Sequence, residues 1–368
     1  MKRVIFSVIA APTLIAVICA VWVVWSRSFP GPLPAPTGPY AVGRAEFDWR
    51  DDARPDPLDS SVPRELDVLV WYPAQHRGTT PAAYVRASWL LDANRPFPMP
   101  HLQRAKTHSW ADVPPATPQS GGWPVAILCS GFGALPADYS SLAEDLTSRG
   151  YVVVAPANTH YGLTVVFPDG RIANEVAELP PLDELVQIWA DDIRSVIKQL
   201  VQINADSRSA FYHKLSLRRL GVIGHSFGGA AAAQFCVAEA SCTAGIDMDG
   251  AIYADAPKRG MRAPFLFLLS DGTTSFRNSK TRRQWADTYR EYVATVQAAC
   301  AMSAECHVVI EQGFRHANFT DSAALFRPPL VWVHPSLGSV KRYDGLATLR
   351  QTIVEFLSPR LNPTAAQP

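Results

Sequence analysis

The chain has 368 residues, a hydrophobic content of 48% and a formal net charge of +1. That length allows one large domain or two modest ones, and the apolar content supports a real core. The near-neutral charge argues against a nucleic-acid partner, which would call for a strongly basic surface.

Lys2 and Arg3 precede a run without charge from Val4 to Trp25. The run is longer than the core of an ordinary signal peptide and close to the roughly 20 residues that span a bilayer. Residues 1–29 therefore read as a signal-anchor or signal peptide. The basic N-terminus stays in the cytoplasm and the remainder is exported. The expected location is the periplasmic or extracellular face, anchored in the inner membrane by residues 4–25. Pro30, Pro32, Pro34, Pro36 and Pro39 then make residues 30–39 a stiff, extended linker.

The main domain is expected over residues 40–360, with 361–368 a flexible tail. Gly43 to Asp48 and Glu65 to Tyr72 read as early strands, the second apolar on both faces. A loop-rich insertion follows over residues 73–124, carrying Trp89, Leu90, Leu91, Phe97, Met99 and Trp110 among many prolines. It reads equally as a lid or side wall of a cleft and as a packed loop covering the sheet edge. Val125 to Cys129 is a strand, Asp138 to Arg149 a helix stopped by Gly150, and Tyr151 to Ala155 a strand. Pro181 to Ile203 is a long amphipathic helix. Leu220 to Ile223 is a buried strand, and Gly229 to Ala240 an Ala-rich helix. Ala244 to Met248 and Pro264 to Leu269 are strands, Thr281 to Cys300 a helix, His307 to Ile310 the last strand, and Tyr343 to Leu357 the closing helix. Strands alternating with helices predict an α/β class, with a mostly parallel sheet covered on both faces.

Six cysteines fit an exported protein. Cys236 and Cys242 have the same short spacing as Cys300 and Cys306, so two short-loop disulfides are the natural hypothesis. The spacing alone does not fix the connectivity. Cys129 is expected to be a reduced core thiol, and no Cys/His spacing fits a zinc site.

The stretch that carries chemistry is Gly224-His225-Ser226-Phe227-Gly228. An apolar strand before it and a helix after it are the context of a nucleophile elbow. A serine hydroxyl is a weak nucleophile, so it needs a base, and the base needs an orienting acid. In such elbows the partners follow in the order acid, then histidine. His316 lies just after the last strand, at the sheet end where catalytic groups gather. His307 starts that strand and His334 sits in a late loop. Asp249 and Asp271 each follow a strand, and both are reasonable acids. Asp247 alternates to the other side of its strand. The oxyanion hole is expected from the amide of Phe227 and that of Phe132, in the loop Ser130-Gly131-Phe132-Gly133.

Four segments carry a family resemblance: Leu66 to Pro73, Ser130 to Ala134, Gly224 to Ala230, and His316 to Asp321. They resemble the early strand, oxyanion segment, elbow and histidine loop of α/β-hydrolases. The similarity is to the platelet-activating factor acetylhydrolase group and to bacterial dienelactone-hydrolase-like or lipase-like esterases. It covers roughly residues 60–325. Gly245-Ile246-Asp247-Met248-Asp249 lines up with the segment that supplies the family's acid, so the resemblance favours Asp249 over the runner-up Asp271. Two features depart from the family. Ser130 stands where the family often has histidine, which bears on how that loop is braced. The insertion over 73–124 does not match, so substrate choice does not carry over.

The expectation is a serine carboxylic-ester hydrolase working through an acyl-enzyme, on short-chain or phospholipid-like esters. It needs no metal or cofactor. Its partners are a small-molecule or lipid ester and, through the N-terminal segment, the membrane. A histidine base must be neutral, so activity is expected to fall toward acid pH. A peptidase or thioesterase using the same triad, and a non-catalytic binding module on the same fold, are the rival readings.

Overall fold

The computed structural model describes residues 2–86, 89, 101–119, 121–161, 164–167, 169–271 and 279–361. Its centre is a ten-stranded sheet. The strands are β1 (Ala41–Pro55), β2 (Pro63–Ala74), β3 (Pro81–Ala83), β4 (Lys106–Trp110), β5 (Trp123–Cys129) and β6 (Val152–Pro156). After the small hairpin of β7 (Val165–Val166) and β8 (Ile172–Ala173) come β9 (Leu215–His225), β10 (Ala244–Met248), β11 (Phe265–Ser270) and β12 (Cys306–Glu311). The order across the sheet is β12-β11-β10-β9-β5-β6-β2-β1-β4-β3. From β12 to β6 every pair is parallel. β2 then pairs antiparallel with both β6 and β1. The predicted α/β sheet, mostly parallel, is what forms.

Alternation along the strands builds two cores. Val125, Ile127 and Cys129 of β5 face one side, and Ala126 and Leu128 the other. Val68 and Val70 of β2 join the first core while Leu69 and Trp71 join the second, so both faces of that strand are apolar as expected. Helices α3 (Leu182–Ala205) and α4 (Phe227–Ala238) cover one face, and α2 (Ser140–Ser148) and α9 (Arg342–Leu361) the other. In α3 the fully buried Leu185, Val186, Ala190, Ile193, Val196 and Leu200 make one stripe at helical spacing. The remaining helices are α1 (Lys2–Ser28), α5 (Ala256–Arg259), α6 (Ser279–Ala301), α7 (Ser322–Leu325) and α8 (Leu330–Val333). Disulfides join Cys236 to Cys242 and Cys300 to Cys306, the hypothesised pairs, and Cys129 is a free, buried thiol.

Three differences from the sequence reading have physical causes. The insertion contributes two strands, because β4 adds parallel to β1 and β3 pairs with β4. It therefore extends and covers the sheet edge. Its Trp89 is buried and donates its indole N–H to the Val166 carbonyl at 3.0 Å. Leu90, Leu91, Phe97 and Met99, on which a lid would depend, lie outside the described residues, as does most of the 361–368 tail. The linker over 30–39 is extended, yet it lies on the body: Arg350 donates to the Pro34 and Ala35 carbonyls, Thr37 bonds to Asp145, and Leu33 is buried. Finally, the fold does not support the expected membrane segment, since among the described residues no helix is long and apolar enough to cross a membrane. In α1, Leu14, Ile15, Val17, Ile18, Val21 and Val24 are exposed, and Trp22 meets Trp332 of α8 edge-on at 5.5 Å.

Candidate active site

The parallel strand order reverses direction at β9 and β5, and the candidate residues gather at the C-terminal ends of these strands and their neighbours, where such sheets bind ligands. Ser226 is the single residue between β9 and α4, with φ 56° and ψ −126°. A residue with a β-carbon is strained there. Its backbone N–H donates to the Met248 carbonyl at 2.9 Å, which holds the turn against β10. The flanking glycines are sterically required. A β-carbon on Gly224 would lie 1.9 Å from the Gly228 carbonyl oxygen, and one on Gly228 would lie 2.3 Å from that of Cys129. Ser226 is half-buried at the start of α4, the positive end of that helix.

His316 follows β12 and opens a short 3-10 turn to Phe319. Asn318 pins this loop by accepting the N–H groups of Arg315 at 2.9 Å and Gly338 at 2.7 Å. The imidazole Nδ1 of His316 lies 2.7 Å from Asp249 Oδ2. The other oxygen of Asp249 accepts the Ser270 N–H at 2.7 Å. Burial pushes the Asp249 carboxyl up, but the bonds from His316 and Ser270 outweigh it and hold it below the ordinary carboxylate value. Asp249 is thus an ionised, nearly buried acceptor beside an imidazole that is 47% exposed.

Asp271, the runner-up, points elsewhere. Its N–H donates to the Phe314 carbonyl at 3.0 Å and its carboxylate accepts the Gly313 N–H at 3.4 Å. Asp247 is fully buried and accepts the Gly250 N–H at 2.8 Å, and burial drives its carboxyl far above the usual range. Of the other histidines, His307 lies on β12 opposite Leu266. His334 packs its ring 4.7 Å from that of Phe326, and burial pushes it down to about 4.

The loop after β5 abuts the elbow, because a β-carbon on Gly131 would lie 2.8 Å from Ser226 Cβ. Ser130, the departure from the family, is fully buried, and Asn158 donates to both its carbonyl and its hydroxyl at 3.1 Å. Asn158 after β6 therefore braces this loop. The rings of Phe132 and Phe227 lie 4.8 Å apart, and Trp189 of α3 sits 5.1 Å from the first and 4.9 Å from the second. Tyr253 extends the wall, 5.5 Å from Phe227. An apolar aromatic surface thus flanks Ser226. Sequence reasoning missed Asn158, Trp189 and Tyr139, and treated His225 only as the variable position of its motif. The local sequence around these residues carries no signal for a role, because their contacts are long-range. Among the described residues no group of His, Cys, Asp and Glu could hold a metal ion.

Comparison with known proteins identifies the family of this fold. The pattern of the alpha/beta hydrolase family matches residues 126–356. A relative from Arthroderma benhamiae, named "Probable 1-alkyl-2-acetylglycerophosphocholine esterase", is 26% identical over 258 residues. The match covers 62% of this chain and 61% of that protein, so the chain spans less than two thirds of its relative's length. The solved structure of a ferulic acid esterase from Streptomyces cinnamoneus overlays with a TM-score of 0.70 at 26% identity, covering 92% of this chain and 96% of that one. The resemblance read in the sequence is borne out, and the chain belongs to the alpha/beta hydrolase family.

Proposed function

We propose that the protein is a serine carboxylic-ester hydrolase. The observation that carries this reading is the 2.7 Å contact between His316 Nδ1 and Asp249 Oδ2, at the sheet end that also bears the strained elbow serine. In this reading Ser226 Oγ attacks the ester carbonyl while Nε2 of His316 takes its proton. The carbonyl becomes an oxyanion held by the amides of Phe132 and Phe227. Asp249 keeps the Nδ1–H tautomer and stabilises the imidazolium that forms. Collapse expels the alcohol, which receives the proton from His316. Water, activated by the same histidine, then cleaves the acyl-enzyme. Both relatives are named as esterases, which favours an ester over an amide or thioester. The wall of Phe132, Trp189, Phe227 and Tyr253 favours an apolar group beside Ser226. The two disulfides favour export to an oxidising compartment.

The test is hydrolysis of p-nitrophenyl esters from acetate to palmitate by the full chain in detergent, with Ser226→Ala beside it. Loss of at least about 10³-fold in kcat in the variant is expected. Equal rates in the two proteins would remove the esterase reading. An acyl preference centred on acetate would point away from long-chain lipid esters.

A further inference from the structure

Catalysis at this site needs three loops in register: the elbow, the loop after β5 and the loop bearing His316. They come from distant parts of the chain. One buried side chain, His225, connects all three. Its Nε2 lies 3.0 Å from the His316 carbonyl oxygen. Its Nδ1 lies 2.7 Å from the Tyr139 hydroxyl, and that hydroxyl in turn accepts the Gly131 N–H at 3.1 Å.

The proton positions in this chain follow from the partners. The His316 carbonyl can only accept, so His225 Nε2 carries a hydrogen. A neutral imidazole then has a bare Nδ1, which accepts from the Tyr139 O–H. The Tyr139 oxygen keeps a lone pair for the Gly131 N–H. Each hydrogen has one acceptor, and only one arrangement of a neutral ring satisfies them all. Burial and then the neighbouring His316 push His225 down to about 3, so the ring stays neutral whenever the site is active. Burial likewise pushes the Tyr139 phenol upward, keeping its proton in place. The His225 ring also lies 4.4 Å from that of His316 and 6.0 Å from that of Phe319, so packing fixes its orientation.

We propose that His225 and Tyr139 are positioning residues, a hydrogen-bonded tie that sets Ser226, the oxyanion loop and the His316 loop at working distance from one another. The proposal rests on reading Ser226 as nucleophile and His316 as base. An apolar residue at 225 would fill the space. It would also leave the His316 carbonyl without this donor and the Tyr139 O–H without its acceptor, and release the loop positions. The role therefore differs from simple packing, and the two are separable.

The experiment compares His225→Leu, His225→Gln and Tyr139→Phe in the full chain. Rates are expressed per site labelled by a fluorophosphonate, so that unfolded protein does not count. Leucine is expected to lower kcat about 10- to 100-fold with little change in KM, as small misplacements of reacting groups do. Glutamine, neutral with a donating amide NH2 and an accepting carbonyl, restores most of the rate. Tyr139→Phe falls between them. Parental kcat per labelled site in both His225→Leu and Tyr139→Phe would overturn the proposal, and so would glutamine no better than leucine. A second readout does not depend on ester hydrolysis. Nitrogen-15 spectra of histidine-labelled protein at pH 7 should show His225 as the Nε2–H tautomer, and Tyr139→Phe should disturb it. The opposite tautomer or an imidazolium in the parent overturns the tie. A parent that binds no fluorophosphonate and turns over no ester counts against the esterase reading instead, and leaves the spectra to decide the tie.

Discussion

The ends of β10 and β11 look alike in sequence, each strand being followed directly by aspartate, and they do different work. Asp249 turns out of β10 with φ 58°, a left-handed conformation that asparagine and aspartate tolerate best. Its N–H is held by the Leu268 carbonyl at 2.7 Å and its carboxylate by the Ser270 N–H. The last residues of β11 thus form the support on which Asp249 reaches His316. Asp271 leaves β11 with its N–H bonded to Phe314 and its carboxylate on the Gly313 N–H. It ties down the segment leading to His316. Residue type is the same at both ends. The backbone turn and the neighbouring strand's length decide which carboxylate meets a ring and which meets backbone.

The sharpest way to break this comparison is a pair of isosteric changes. Asp249→Asn keeps the left-handed turn and an acceptor for Ser270, but it removes the charge and favours the wrong tautomer of His316. A fall in kcat of about 10⁴-fold is expected, with the fold intact by circular dichroism. Asp271→Asn keeps an acceptor for the Gly313 N–H. It should cost less than about 1 kcal/mol of stability and leave kcat close to the parent. If the two variants lose activity equally, or Asp271→Asn loses more, the assignment of roles is reversed.

The same contrast marks what could be read from the sequence. The elbow was legible because its signal is local: an apolar strand, Gly-x-Ser-x-Gly and an Ala-rich helix stand side by side. His316 was legible because it follows the last strand on the side where ligands bind. The choice between Asp249 and Asp271 was not legible from the residues alone, since it depends on a turn angle and on the length of β11. Only the family resemblance favoured Asp249. The strands β3 and β4 hid in a proline-rich loop because they are short, and β4 pairs with β1, far away in the chain, while β3 pairs with β4. Tyr139 and Asn158 escaped for the same reason, since their partners lie across loops that sequence periodicity does not link. The linker showed its extended character in its prolines, while its attachment to Arg350 and Asp145 depended on charges more than a hundred residues away.

A third aspartate, Asp321, sharpens the comparison with the smallest effect on activity. It lies five residues beyond His316 and is fully buried, with its carboxylate accepting the Ser141 N–H of α2 at 3.2 Å and the Tyr84 hydroxyl at 3.2 Å. Burial pushes it up to about 7, against the opposing pull of the Ser141 bonds and the Arg350 charge. Asp249 and Asp321 are both removed from water, yet one is held ionised by an imidazole and the other keeps its proton up to about pH 7. In the unfolded chain Asp321 titrates near about 4. Between about 4 and about 7 the folded chain therefore holds a proton that the unfolded chain has lost. Its contribution to stability is full below that window, falls as pH rises through it, and levels off above about 7. The slope approaches about 1.4 kcal/mol per pH unit in mid-window. Asp321→Asn keeps an acceptor for Ser141 and has nothing to titrate, so the difference in unfolding free energy between variant and parent should grow in the variant's favour from pH 5 to pH 7. Other buried acids titrate in both proteins and cancel in that difference. Urea unfolding at pH 5, 6, 7 and 8 measures it directly, and a difference that stays constant across these values would mean that Asp321 is ionised in the fold, as Asp249 is.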